Sequence, residues 1–314
     1  YPVSFKVRYL FNYPDATGEI YRDDVIKQDL QVVACDVRNS FWGDNLAETQ
    51  RNCGGALEKQ EGNTDLYAAV LSSEFGSSVE GDGDKTFVFM SGSGTCSPIL
   101  DFKSLYSLLS NEYKIAVVEK FGYGFSDVVD KNRDIDTILS EIRMALDKAG
   151  IEPPYVLCPH SMSGLEALYW AQKYPEEVEA IVGLDMAVPD YYDEMNINIP
   201  IMRLGQYCAG LGITRWIPSL AESNAIKSGT LSQKEKEIYR AIFYQKTATV
   251  TMIDEAKAVK KNAGVVKEKG IPQVPMLLFI SDGSGGTGFT KEKWRSIPKE
   301  YISNHNNASC IELD

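Results

Sequence analysis

Histidine is scarce in this chain: only His160 and His305 occur among 314 residues. Any reaction that needs an imidazole base therefore has two candidates to draw on. Neither a His-Glu-x-x-His nor a Cys-x-x-Cys spacing occurs, so no metal motif is present and a metal site is not expected. Basic residues are also outnumbered, 32 Lys and Arg against 44 Asp and Glu, for a net charge of −12. A field of that sign repels phosphate backbones and anionic lipid surfaces, which excludes nucleic acid as an expected partner. Long apolar runs are missing too; Met276-Leu277-Leu278-Phe279-Ile280 stops far short of the roughly 18 residues that span a bilayer. Six cysteines (35, 53, 96, 158, 208, 310) are too few for a disulfide framework and read mostly as small buried hydrophobes. A Cys35–Cys53 disulfide is the exception to consider, should the protein be exported. The chain opens Tyr1-Pro2 without an initiator Met, which leaves both a cytoplasmic protein and one exported or anchored through a removed leader open.

What is present is the composition of a folded domain, 44% hydrophobic and 24% charged. From residue 86 onward, short apolar runs alternate with amphipathic helical stretches, the pattern of an α/β fold with a mostly parallel central sheet and helices on both faces. Strands are expected at 86–90, 115–119, 155–158, 179–184, 276–280 and 308–313. Their unbroken apolar character suits strands buried on both faces. Ile135, Ile138, Leu139, Ile142 and Leu146 recur at helical spacing, and Gly150 stops that helix. Residues 189–270 interrupt the alternation and are expected to form an inserted helical cap. Within it, Ser232 with Glu235 three residues on predicts a capping box. Residues 1–80 are expected to be an extension with leading strands, among them Phe5-x-Val7-x-Tyr9-x-Phe11 and 30–35, with a long polar stretch over 39–64. The core is thus expected in two parts, 81–188 and 271–314.

The sharpest local signal is Tyr155-Val156-Leu157-Cys158-Pro159-His160-Ser161-Met162-Ser163-Gly164-Leu165, a strand entering a tight turn and leaving as a helix. A serine on such a turn is held in a strained bend with its hydroxyl above the sheet. A serine that merely caps a helix after a buried strand has the same local pattern. Two further segments keep order with it: the turn Ser91-Gly92-Ser93-Gly94-Thr95 after the strand Phe87-Val88-Phe89-Met90, and Val118-Glu119-Lys120-Phe121-Gly122-Tyr123-Gly124-Phe125-Ser126-Asp127 after the next strand.

Together these segments resemble the α/β-hydrolase superfamily over residues 86–314. Its nucleophile elbow often reads Gly-His-Ser-Met-Gly-Gly; here Pro159 and Ser163 replace the flanking glycines. The resemblance implies Ser161 as nucleophile and the amides of Ser93 and Met162 as an oxyanion hole. The segment 118–127 is structural in the family. The acid follows either of two strands there, which implies Asp282 by the usual order or Asp185 as the alternative, either of which would orient an imidazole. Without a catalytic role, the first is a turn former before glycines and the second a strand-end loop anchor. The family's histidine follows the last strand, whereas His305 precedes 308–313. That run spans roughly 20 Å at about 3.3 Å per residue, which sets His305 at the opposite edge from Ser161. The catalytic histidine is therefore expected beyond Asp314.

Other motifs compete. Gly283-Ser284-Gly285-Gly286-Thr287-Gly288 matches a dinucleotide fingerprint, but one strand remains after it to hold such a ligand, and no cofactor is expected. Glu80 to Asp84 lacks the Gly and Glu of a calcium loop. Asn307-Ala308-Ser309 is a glycosylation sequon by pattern. Met202, Tyr207, Trp216, Tyr239, Phe243 and Met252 either line a substrate pocket or form the cap's own core. The expected activity is a serine hydrolase acting through an acyl-enzyme on a small, largely apolar ester. The alternative is a non-catalytic protein binding a small molecule in the same capped pocket. A serine at the elbow argues against epoxide or haloalkane chemistry, which would use an Asp there.

Overall fold

A computed structural model describes the strand backbones at 31–34 and 67–71 and residues 84–284 and 288–313. Eight strands form one sheet: β1 (Gln31–Ala34), β2 (Tyr67–Leu71), β3 (Thr86–Met90), β4 (Lys114–Glu119), β5 (Tyr155–Pro159), β6 (Val178–Leu184), β7 (Met276–Ile280) and β8 (Ala308–Glu312). Their spatial order is β1-β2-β4-β3-β5-β6-β7-β8. The six strands from β3 onward run parallel, while β1 and β2 add an antiparallel edge beside β4. β3 to β5 are largely buried, as expected, but β8, paired with β7 alone, has no buried residue, contrary to the expectation of burial on both faces. β1 falls within the segment expected at 30–35; β2 was not anticipated. The strand expected near Phe5, the Cys35–Cys53 pair and the polar stretch 39–64 lie outside the described residues.

The helices are α1 (Pro98–Asp101), α2 (Lys103–Leu109), α3 (Ile135–Lys148), α4 (Ser163–Lys173), α5 (Tyr191–Glu194), α6 (Ile199–Gly210), α7 (Asn224–Ser228), α8 (Gln233–Lys246), α9 (Val250–Glu268) and α10 (Lys291–Ile302). Pleating sends Val88, Met90, Ala116 and Val118 to one sheet face, where they pack with α3, α4, α9 and α10 through Ile138, Leu168, Val259 and Trp294. Phe89, Ile115 and Val117 face the other way onto Ile99 of α1, Phe102 and Tyr106 of α2. Asp134 caps α3 by accepting from the Thr137 amide at 2.8 Å, and Gly150, at φ 68°, ends that region of chain. The capping box at Ser232 and Glu235 forms on α8.

Between β6 and β7 the described residues contain helices and no strand. They divide in two: α9 contributes Val259, Ala263 and Val266 to the main core cluster, whereas no residue of α6 is buried.

Candidate active site

Parallel strands deliver their carboxyl ends to one edge of the sheet, and the loops leaving β3, β5, β6 and β7 meet there. Ser161 follows β5 with φ 54°, and Asp185 follows β6 with φ 52°. Left-handed backbone at a residue bearing a side chain costs on the order of 1 to 3 kcal/mol and persists only where neighbours enforce it. The neighbours are visible: the Ser161 amide donates to the Asp185 carbonyl at 3.3 Å, and the Ala187 amide donates to the Ser161 carbonyl at 2.7 Å. The two strained residues thus brace each other's loops.

Two glycines permit this approach. A Cβ at Gly92, on the turn after β3, would lie 2.6 Å from the Ser161 Cβ and 3.1 Å from its Oγ. One at Gly164, in the first turn of α4, would lie 2.1 Å from the Ala187 carbonyl oxygen. Ser163, which stands where the superfamily's elbow often has glycine, is buried; its hydroxyl donates to the Met90 carbonyl at 2.7 Å, lies 2.9 Å from the His160 carbonyl and accepts from the His160 amide at 3.0 Å. Its side chain therefore ties the elbow to the end of β3. Ser93 follows Gly92 on the turn after β3, and Met162 directly follows Ser161.

The two candidate acids share one corner in different states. Asp185 receives three donors, the Ser281 amide (2.9 Å), the Ser281 hydroxyl (2.6 Å) and the Trp294 indole N–H (2.9 Å). Asp282 accepts from the Ser284 amide at 2.9 Å in an exposed turn, and Ser284 holds its carboxyl below the ordinary range. Neither Ser281 nor Trp294 was singled out in the sequence; a serine directly before Asp282 carries no signal until β6 and β7 are seen to be neighbours.

The histidines separate. The His160 ring packs edge-on against Phe102 at 6.2 Å, and burial lowers its pKa while the charge of Asp185 opposes the shift. It is a neutral wall residue. His305 hydrogen-bonds the Pro272 carbonyl at 2.9 Å and accepts from the Asn307 amide at 3.1 Å, at the amino ends of β7 and β8. That is the sheet edge opposite Ser161.

Beside the serine's loop lies a cavity of about 500 Å³, within the size range of small-molecule sites. Ser93, Cys96, Asp101, Phe102, His160 and Tyr239 are among its walls. Of the aromatic and Met residues noted between β6 and β7, Tyr239 reaches this cavity, Met252 is buried, and Tyr207 and Trp216 are exposed. Behind the cavity, the buried Glu119 carboxylate accepts from the Ser97 hydroxyl (3.2 Å) and the amides of Ile99 (3.3 Å) and Phe125 (2.7 Å), and burial pushes its pKa up to about 7. It holds the two loops of the sheet edge together, the structural part expected of that segment. Among the described residues there is no group of three or more side chains fit to hold a metal, and no helix long and apolar enough to cross a membrane.

Residues 85–204 match a family model described as the alpha/beta hydrolase fold. The chain is 44% identical over 243 residues to the uncharacterized protein YbdG of Bacillus subtilis (strain 168), spanning 74% of each. The chain belongs to the α/β-hydrolase superfamily. Solved structures of this fold include an epoxide hydrolase from Vigna radiata (TM-score 0.59, 14% identity, 80% of this chain and 88% of that one). The enol-lactonase from Burkholderia xenovorans LB400 is similar in the same way (TM-score 0.54, 15% identity, 80% and 88%). These likenesses concern fold, and the proteins so named are hydrolases. Gly283, first glycine of the competing dinucleotide pattern, serves packing here: a Cβ would come within 2.7 Å of the Trp294 ring. Residues 285–287 of that pattern lie outside the described residues.

Proposed function

We propose that the protein is a serine hydrolase that cleaves a small ester or related acyl compound through an acyl-enzyme on Ser161. The observation that carries this is the strained Ser161 turn, held by Asp185, Ala187 and Ser163 and faced at close range by Gly92. Such strain is kept where a hydroxyl must stand clear of the sheet. In this reading the Ser161 Oγ attacks the substrate carbonyl, the amides of Ser93 and Met162 stabilise the oxyanion, and water releases the acyl group. Asp185, oriented by Ser281 and Trp294, is the better placed acid, because Asp282 is spent on its own turn. The base implied by the superfamily is a histidine following β8, whose course along β7 returns the chain to the same edge through the Leu313 amide and the Ile280 carbonyl (2.8 Å). The insertion between β6 and β7 is the cap, supplying Tyr239 to the cavity.

A fluorophosphonate probe followed by intact mass tests this on the natural full-length protein. One adduct on the wild type and none on Ser161→Ala is expected. A wild type that takes up no probe sinks the acyl-enzyme reading and favours a binding protein in the same pocket.

A further inference from the structure

The wall of the 500 Å³ cavity carries one carboxylate and, among its described lining residues, no lysine or arginine. That carboxylate is Asp101, at the end of α1. Its Oδ1 accepts from the Tyr239 hydroxyl at 2.9 Å and its Oδ2 from the Ser97 amide at 3.2 Å, so each oxygen keeps accepting capacity after its one neutral donor. Among the described residues no cation is hydrogen-bonded to it. The nearest-lying basic residue in sequence, Lys103, is engaged with Glu235 of α8. A carboxylate withdrawn from water and given only neutral partners is under-compensated, and an incoming cation makes good that deficit.

We infer that the cavity selects a substrate whose bound portion carries a positively charged ammonium group, with Asp101 as its counter-ion. This rests on the cavity being the substrate pocket of the proposed hydrolase. Phe102 and the neutral His160 ring, packed edge to face, supply an apolar and aromatic wall suited to the alkyl groups of an ammonium. The other ionisable groups about Asp101 do not supply the missing charge. Burial keeps the Cys96 thiol protonated, burial likewise raises Tyr239, and Glu119 behind the turn is itself acidic. A carboxylate-bearing substrate meets repulsion from Asp101 with nothing to offset it.

The test compares para-nitrophenyl esters whose acyl chains end in trimethylammonium, in tert-butyl as its neutral isostere, or in carboxylate. The wild type is expected to prefer the cation to the isostere by about tenfold or more in kcat/KM at pH 8, since close charge pairs in excluded sites reach such couplings. Burial holds the Asp101 carboxyl up at about 6, so the preference should fade as pH drops through that value and the carboxylate protonates. Asp101→Asn should bring the ratio near one at every pH. Tyr239→Phe removes a hydrogen bond that favours the ionised form, so it should keep the preference but move its pH midpoint upward. If Asp101 only ties α1 to α8, both esters lose rate together in Asp101→Asn and the ratio stays, which overturns the inference while fluorophosphonate labelling of Ser161 still stands. If labelling and turnover both fail, equilibrium binding of the trimethylammonium amide decides. Binding that Asp101→Asn abolishes supports the counter-ion, and equal or no binding to the two proteins overturns it.

Discussion

Two helices between β6 and β7, α9 and α6, relate to the rest of the fold by different means. The later of the two, α9, is pinned by buried polar chemistry: Lys120, at the end of β4, pairs with Glu166 of α4 (2.6 Å) and with Glu255 of α9, and the Tyr123 hydroxyl donates to Glu255 at 2.9 Å. Thr251 binds both the amide and the carbonyl of Val129, at 2.8 and 2.6 Å. Ahead of α9, α8 is tied down by the Lys103–Glu235 pair and the Tyr239–Asp101 hydrogen bond, whereas α6 takes part in neither. Every residue of α6 keeps some solvent contact, and Trp216, two short turns on, is 84% exposed. The difference teaches that helices inserted at one place in the chain take two positions, α9 completing the core layer beside α4 and α6 staying at the surface.

The largest effect should come from breaking the pinned helix. Lys120→Met leaves Glu166 and Glu255 buried without their cation, a change that typically costs about 3 to 5 kcal/mol. Urea unfolding should show it as a lowered midpoint. The pH dependence has a definite sign. Burial holds Glu166 above its ordinary value of 4.5 even with Lys120 beside it, and removing Lys120 raises it further. A carboxyl raised on folding binds its proton more tightly in the folded state, so stability falls as pH rises from the unfolded value toward the folded one. The variant's deficit should therefore be small near pH 5 and grow toward pH 8. A deficit independent of pH would mean that the side chain's packing, not its charge, is what matters.

A second, smaller break lies on the same side. Asn262 of α9 is buried, accepts from the Ile135 amide and donates to the Arg133 carbonyl, both at 3.0 Å. Asn262→Ala orphans a buried amide and a buried carbonyl at the entry to α3, for a loss of about 2 kcal/mol. Hydrogen exchange should speed up in the first turn of α3, with the amides of β3 and β5 still protected. Global loss of protection would contradict a local role.

How far this was legible in the sequence follows from distance along the chain. β3, β4 and β5 could be read because strands buried on both faces are continuous apolar runs, and the Ser161 turn because its strain is confined to a few consecutive residues. β2 was missed: Tyr67-Ala68-Ala69-Val70-Leu71 is a short run inside a polar region, and its partner, β4, lies far downstream. Lys120, Glu166 and Glu255 could not be read as a cluster, since each stands alone in sequence and only the packing of α4 and α9 brings them together. Asp101 was overlooked for a related reason. An acid after Pro98-Ile99-Leu100 looks like the polar face of a helix until α8 closes over it and Tyr239 reaches its oxygen. The choice between Asp185 and Asp282 was open for want of Ser281 and Trp294, whose relevance appears with the β6–β7 pairing.

The smallest expected effect sharpens the comparison from the other side. Leu204 and Leu211 are exposed on or just after α6, so their burial contributes little that a substitution could remove. Leu204→Ser with Leu211→Ser should change unfolding free energy by no more than about 0.5 kcal/mol, the range of surface sites free of special contacts. The same pair placed in α9, for example Val259→Ser with Val266→Ser, should cost several kcal/mol by leaving buried hydroxyls in a packed cluster. If the α6 pair proved as costly as the α9 pair, α6 would be bound to something that gives its apolar face a stabilising role, and the division between core helix and surface helix would fail. A near-zero result, with the fluorophosphonate rate altered, would instead show that α6 affects access to Ser161 without contributing to the stability of the fold.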